Sequence, residues 1–212
     1  MPKPLSARTI EIVKASAPAI ADHGTEITQV MYGRLFKDEH IRALFNHANQ
    51  GDSGSQVNAL AAAILAYARN IDNLGALGPV VERIAQKHIG YDILPEHYPY
   101  VANALLGAIG EVLGDAATEE LMGAWGEAYW FLAEILKDRE ASIRTEIEQQ
   151  EGGWTGWRKF VVAEKIRESA VITSFILRPA DEKPVLRHKP GQYLTFRLDT
   201  PDGSHLKRNY SI

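Results

Sequence analysis

The sequence contains no cysteine. This absence excludes disulfides, thiolate-bound zinc, iron–sulfur clusters, catalytic thiols and a haem attached through thioether bonds. The chain also lacks an apolar run of about 18 residues, the length that a transmembrane helix needs. Its first residues, MPKPLSARTIEIV, have no uninterrupted apolar core and are therefore not typical of a signal peptide. We expect a cytoplasmic protein with no obligate membrane association.

Basic residues are not in excess either. The chain has 23 lysines and arginines against 27 aspartates and glutamates, which gives a net charge of −4. Without a sustained basic run, electrostatics give no reason to expect a nucleic acid as partner. Hydrophobic residues make up 45% of the 212 residues, which is ordinary for a globular protein with a full core.

The first two thirds of the chain have a helical pattern. Apolar residues recur at spacings of three and four over residues 6–149, which predicts a series of amphipathic helices. We expect a helix break at His23-Gly24 and a loop over the polar segment 46–55. Thr118 is a suitable N-cap for a long last helix, because acidic residues follow it in the first turn.

After residue 153 the pattern changes to short β-branched segments separated by turns. We predict an all-α domain over residues 1–149, a linker over 150–153 and an antiparallel β domain over 154–212. With about four strands, this second domain has open edges and little area for a core of its own. The predicted strands are 159–165, 171–177, 193–198 and a last one that begins near Lys207.

The helix that begins at Pro79 places a histidine on its apolar face. Val81, Ala85 and His88 lie at steps of three and four, with charged residues on the other sides. This helix alone allows two interpretations: a core histidine bonded to a carbonyl or hydroxyl group, or a neutral imidazole that binds a metal. A porphyrin needs only one protein ligand, so haem is the economical cofactor for a single inward histidine.

The remaining histidines lie beside glycines, charges or turns and are predicted at the surface. They are His23, His40, His47, His97, His188 and His205.

Several short motifs follow one another in a specific order. They are YGRLF with Tyr32, LFNHANQ with Phe45, SQVNAL with Gln56 and Leu60, IAQKH with His88, LPEHY with Tyr98, and AWGEAYWFLAEILKDRE with Glu140. In this order and at these separations, the chain resembles the bacterial and yeast flavohaemoglobins over essentially all of its length. The resemblance implies an all-α globin fold followed by a partial antiparallel β-barrel of the ferredoxin-reductase-like FAD-binding type.

The resemblance also implies an activity, nitric oxide dioxygenation, which converts NO and O2 to nitrate with electrons from NAD(P)H through FAD. It identifies His88 as the proximal ligand of a haem b iron, and Tyr98 and Glu140 as the residues that polarise this imidazole. A carboxylate or phenol that contacts the imidazole N–H makes the histidine a stronger electron donor to iron.

On the opposite side of the haem, the resemblance assigns Tyr32 as the donor of a hydrogen bond to the O2 ligand, with Gln56 assisting. Such a donor stabilises the negative charge that develops on the ligand. Phe45 is expected to pack on the haem, and Leu60 is expected to restrict the space above it.

In the β domain, PGQY at residues 190–193 and RNYS at residues 208–211 match the pattern of FAD domains. The resemblance assigns Arg208 to the FAD pyrophosphate and Tyr210 and Ser211 to the isoalloxazine ring. Tyr193 and Asn209 belong to the same motifs and are expected to bind the cofactor.

Members of the family continue with the rest of the flavin barrel and a nicotinamide-binding domain, and no strand-linked GxGxxG is present here. We therefore expect a fragment of a longer reading frame, with an incomplete FAD site and a reductase that is missing in cis or supplied externally. Two alternatives stay open: a haem-based module that binds or senses O2 or NO without turnover, and a haem-free helical interaction domain.

Overall fold

The computed structural model describes residues 2–45, 55–200, 203 and 205–212. In that part of the chain, seven α-helices precede four β-strands. The helices are α1 Ala7–Ala15, α2 Ala17–Leu35, α3 Glu39–Leu44, α4 Ser55–Asn70, α5 Gly78–Gly90, α6 Tyr98–Leu113 and α7 Glu119–Glu148. The strands are β1 Phe160–Arg167, β2 Thr173–Pro179, β3 Tyr193–Asp199 and β4 His205–Ser211. The division into domains at residues 149 and 154 stays a prediction.

Local sequence signals explain several helix ends. The Thr118 hydroxyl accepts a hydrogen bond from the Leu121 N–H at 3.2 Å, which confirms the predicted N-cap of α7. The predicted break at His23-Gly24 is wrong, because α2 runs without interruption through it. The chain bends instead at Ser16, between α1 and α2, and a proline stands in the first turn of the new helix.

Gly24 serves packing rather than termination. A Cβ atom at this position would lie 3.5 Å from the Cβ atom of Ala61, so two small residues bring α2 and α4 close together. A glycine that ends a helix and a glycine that allows close packing thus look the same in the sequence. Only the neighbouring helix distinguishes the two roles.

Two apolar cores hold the helices. The larger one surrounds Trp125, which is 2% exposed and donates its indole N–H to the Ser16 hydroxyl at 3.1 Å. The smaller one lies between α5 and α7, and its buried members are Ala85, Tyr98, Ala133, Leu136 and Ile143. Tyr98, one of the predicted site residues, belongs to this smaller core, whereas Tyr32 belongs to the larger one.

The strands form two antiparallel pairs, β1 with β2 and β3 with β4. The antiparallel β segment is therefore confirmed, and the described residues contain no closed barrel. The last strand begins at His205, slightly before the predicted start. The predicted loop at 46–55 lies almost entirely outside the described residues, as do Pro201 and Asp202. None of the described helices is both long and apolar enough to cross a bilayer.

Two glycines make the connection between α7 and the strands possible. Gly152 has φ of +72°, and a Cβ atom there would lie 2.5 Å from the carbonyl carbon of Val185. A Cβ atom on Gly153 would collide with the carbonyl oxygen of Ile147. Neither position therefore has room for a side chain. At Gly152 the positive φ also disfavours any residue other than glycine.

We expect Gly152→Ala to lower the free energy of unfolding by about 2–4 kcal/mol, because backbone strain and steric overlap add. Gly191→Ala is the matched control, since Gly191 has φ of +85° with nothing within 4 Å of a Cβ atom. The free energy of unfolding of this control should fall only by the cost of backbone strain, about 1–2 kcal/mol. Urea denaturation measures both, and equal losses would show that the approach of Val185 is unimportant.

Candidate functional site

His88 contacts a buried carboxylate. Its ring lies on the last turn of α5 with 31% of the side chain exposed, and Nδ1 is 2.7 Å from Oε1 of Glu140. Glu140 lies on α7 and is 3% exposed. Since a carboxylate only accepts hydrogen bonds, the proton between them belongs to Nδ1. The lone pair of His88 is then on Nε2.

Tyr98 completes this group. Its hydroxyl donates to the same Oε1 of Glu140 at 2.6 Å and lies 3.3 Å from Nδ1 of His88. Burial, reinforced by the hydrogen bond to Glu140, raises the pKa of Tyr98 well above its ordinary value. The phenol therefore stays protonated and continues to donate to the carboxylate. We call His88, Tyr98 and Glu140 the proximal triad.

Small and branched apolar residues place the triad between α5 and α7. Ala85 and Ala133 are almost fully buried and leave room for the two helices to approach. Glu140 follows Leu136 by four positions and precedes Ile143 by three, so it lies on the apolar face of α7. The family resemblance predicted that Glu140 and Tyr98 contact His88, and the structure brings the three side chains together.

Two arginines beside Glu140 fix both ends of α5, and sequence reasoning missed them. Arg139 donates its Nε to a carboxylate oxygen of Glu82 at 2.6 Å, near the start of α5. Arg144 donates to the carbonyl oxygen of Ile93 at 2.6 Å, just beyond its end. In the sequence both read as charges on a solvated helix face, which is why no local signal singles them out.

A second group, the distal cluster, forms around Tyr32 on α2. The Tyr32 ring stacks on Phe36 at 5.2 Å and meets Phe45 edge-on at 5.8 Å, and Gln56 hydrogen-bonds to the Tyr32 hydroxyl. Burial raises the pKa of Tyr32 to about 12, although the bond to Gln56 opposes this shift. Leu60 is partly buried against the same core. The structure thus brings Tyr32, Phe45 and Gln56 together, whereas it shows Leu60 only as part of the same large core.

The residues predicted to bind FAD lie on β3 and β4. In this antiparallel pair Tyr193 is opposite Ser211, and Asn209 is opposite Thr195. Because side chains alternate along a strand, Arg208 and Tyr210 point to one face of the pair, and Tyr193, Asn209 and Ser211 to the other. The Tyr210 ring is 54% exposed and packs edge-on against Phe196.

The surface prediction for His97 is wrong. This histidine is 6% exposed, and its Nδ1 accepts a hydrogen bond from the Leu94 N–H at 2.9 Å. The bond closes the short 3₁₀ turn that precedes Tyr98, so His97 helps to place the triad. Sequence reasoning missed it because its turn residues suggested solvent. His47 lies outside the described residues, and the other four are exposed as predicted.

Comparisons with known proteins agree with this geometry. The globin family model matches residues 29–136. A flavohemoprotein from Xylella fastidiosa is 60% identical over 207 residues, which is 98% of this chain and 52% of that protein. The chain spans about half the length of the curated relatives it matches.

Solved structures are similar as well. The flavohemoglobin from Malassezia yamatoensis with bound FAD and heme has a TM-score of 0.86 and 28% identity, and the match covers 99% of this chain and 54% of that one. An engineered carbene transferase, described as a putative nitric oxide dioxygenase from Rhodothermus marinus, has a TM-score of 0.63 and 40% identity. That match covers 68% of this chain and 99% of the other.

Tyr98→Phe removes one of the two donors to the buried Glu140 carboxylate. We expect it to lower the free energy of unfolding by about 1–3 kcal/mol, because the carboxylate loses a hydrogen bond that water cannot readily replace. Tyr100→Phe on the same helix is the control, since Tyr100 is 45% exposed and should change stability little. Equal effects in urea denaturation would contradict the role of Tyr98 in the triad.

Proposed function

The chain belongs to the globin family, and from this membership we propose that it binds haem through His88 and carries out the NO- and O2-dependent chemistry of a nitric oxide dioxygenase. The globin match, the flavohemoprotein relatives and the flavohemoglobin structure with bound FAD and heme support haem and FAD as the cofactors. The small-molecule ligands would be O2 and NO.

The proximal triad is the observation that carries this proposal. Its donor set fits haem, because Nδ1 of His88 is engaged by Glu140 and the lone pair of Nε2 is left for a metal. The His88 side chain is 31% exposed, so the ring is only partly enclosed by the protein. A carboxylate on the far nitrogen makes the imidazole a stronger electron donor, which favours O2 activation over simple O2 carriage.

When bound, haem supplies the iron at which NO, O2 and one electron combine to give nitrate. The residues of the chain supply the surroundings of that reaction. Glu140 keeps the His88 proton on Nδ1 and so fixes the orientation of the ring. Tyr98 donates to the same carboxylate and holds it against α5.

On the distal side, Tyr32 would act as the hydrogen-bond donor to the ligand. Its raised pKa of about 12 means that it keeps its proton throughout the physiological range. Gln56 orients the hydroxyl group, and the rings of Phe36 and Phe45 shield it from water. A fixed donor in a dry site stabilises developing negative charge at little reorganisation cost.

Electrons would arrive through FAD. Arg208 carries a guanidinium suited to a pyrophosphate, and Tyr210 offers an exposed ring next to it in the same strand. In a longer form of the protein, NAD(P)H would reduce this flavin through a reductase domain in cis. For the chain as given, an external reductase or chemical reductant serves the same purpose.

The absorption spectrum of the purified chain, before and after dithionite, tests haem binding. We expect a Soret band at ~400 nm that shifts on reduction and is lost or altered in His88→Ala, because the iron loses its protein ligand. His23→Ala is the control, since His23 is an exposed histidine on α2. A colourless chain that takes up no added haemin would overturn the globin assignment.

Consumption of NO under oxygen, with an external reductant, separates the enzyme from a binding or sensing globin. Tyr32→Phe should retain the Soret band but consume NO about a hundredfold more slowly, because the stabilising donor is lost. Tyr100→Phe, also a loss of one phenol oxygen, should leave the rate unchanged. A reduced, haem-loaded wild-type chain that binds O2 and NO but forms no nitrate would favour the sensor.

A further inference from the structure

A buried lysine connects the β3–β4 pair to the helices. Lys207 on β4 is 7% exposed, and its ammonium group donates to the carbonyl oxygen of Leu44 at 2.9 Å. Leu44 is the last residue of α3, 163 positions earlier in the chain. The same ammonium group lies 5.8 Å from the centre of the Tyr91 ring and 5.7 Å from that of Trp157.

A second contact lies beside it, at the end of α5. A Cβ atom on Gly90 would lie 3.0 Å from Oγ1 of Thr195 on β3. The absence of a side chain therefore lets β3 approach the helix that carries His88, two residues earlier. Contacts of β3 and β4 with α5 and α3 define one surface on the globin, formed by Leu44, Gly90 and Tyr91.

Lys207 is buried and lies near other charged side chains. Burial, helped by the neighbouring Arg197, lowers the pKa of Lys207 to about 8, whereas Asp92 opposes the shift. The pKa of His97 is lowered mainly by burial, and the charge of Lys207 contributes to the same shift. A buried amine needs an acceptor, and Lys207 finds the Leu44 carbonyl in the helical part of the chain rather than in its own strand pair.

Because side chains alternate along β4, the contact at Lys207 also bears on the residues next to it in the strand. Lys207 and Thr195 share the face of the strand pair that lies on the globin, whereas Arg208 and Tyr210 point to the opposite face. Lys207, which docks the strand, is thus the immediate sequence neighbour of Arg208. Of the other residues proposed for FAD, Tyr193, Asn209 and Ser211 lie on the same face as Lys207. A shift at Lys207 would be transmitted directly to Arg208.

We propose that Lys207 and Gly90 are positioning residues that dock the β3–β4 pair onto the ends of α3 and α5. Docking fixes Arg208 and Tyr210 relative to the helix of His88, and so fixes the path between a flavin and the haem. The docking itself depends only on the contacts described, whereas its importance for electron delivery rests on the proposed function.

Hydrogen exchange of the whole 212-residue chain tests the docking. Lys207→Glu places a carboxylate against the Leu44 carbonyl, and Gly90→Ala inserts a methyl group against Thr195. We expect each variant to raise exchange rates about tenfold at two places, the amides of β3–β4 and those of residues 89–93, because both sides of the contact lose protection. Circular dichroism should show unchanged helix content.

Each variant has a matched control. Lys165→Glu reverses the charge of a lysine that is exposed on β1 and lies over the ring of Phe175 on β2. Gly123→Ala adds a methyl group to a glycine in α7 that has nothing within 4 Å of a Cβ atom. Neither should change exchange in β3–β4 or at residues 89–93. Since alanine favours helix more than glycine does, Gly90→Ala does not threaten α5.

The outcomes separate this inference from the proposed function. Faster exchange in β4 alone for Lys207→Glu, with residues 89–93 unchanged, would overturn the docking role. Unchanged exchange in β3 of the Gly90→Ala variant would show that Gly90 has no part in docking. If both segments loosen but the His88-dependent absorption band is missing, docking stands and its role in electron delivery falls. If the band is present and neither segment loosens, the haem assignment stands and docking falls.

Discussion

A buried carboxylate between two helices is the constraint on which the rest of the site depends. Glu140 is 3% exposed, so protein donors must replace the hydrogen bonds to water that its carboxylate has lost. His88 and Tyr98 supply those donors from α5 and from the start of α6. Stability and chemistry therefore use the same hydrogen bonds, because the bond that satisfies the carboxylate also orients the imidazole.

The positions of α5 and α6 follow from this requirement. Arg144 binds the backbone just after α5, and the Tyr129 hydroxyl donates to the Tyr98 carbonyl at 2.7 Å. Helix α7 thus contacts α6 through a residue before Glu140 and the chain just after α5 through a residue beyond it. Such a framework keeps the ring of His88 in one orientation, as its proposed role as proximal ligand requires. The distal cluster around Tyr32 forms a separate group.

How far the sequence predicts the molecule varies from element to element. Apolar periodicity placed His88 on an inward face, because a helix repeats every 3.6 residues whatever its surroundings, whereas Glu140 was assigned only through the family resemblance. The N-cap at Thr118 could also be predicted, because capping depends on residues that are adjacent in the sequence. Gly24 was misread as a break and His97 as a surface residue, since a glycine or a turn residue has the same local signature whether water or another helix covers it.

The sequence by itself determined the helical and strand segments, the inward side of α5 and the resemblance that pointed to haem and FAD. The resemblance already paired Glu140 with His88, 52 positions apart, and the tertiary structure gave the geometry of that contact. Only the tertiary structure decided that Lys207 meets the Leu44 carbonyl across 163 positions. The physical reason is that hydrogen bonds and burial depend on distance in space. Local patterns in the sequence describe each partner, but they carry no record of the separation between two distant ones.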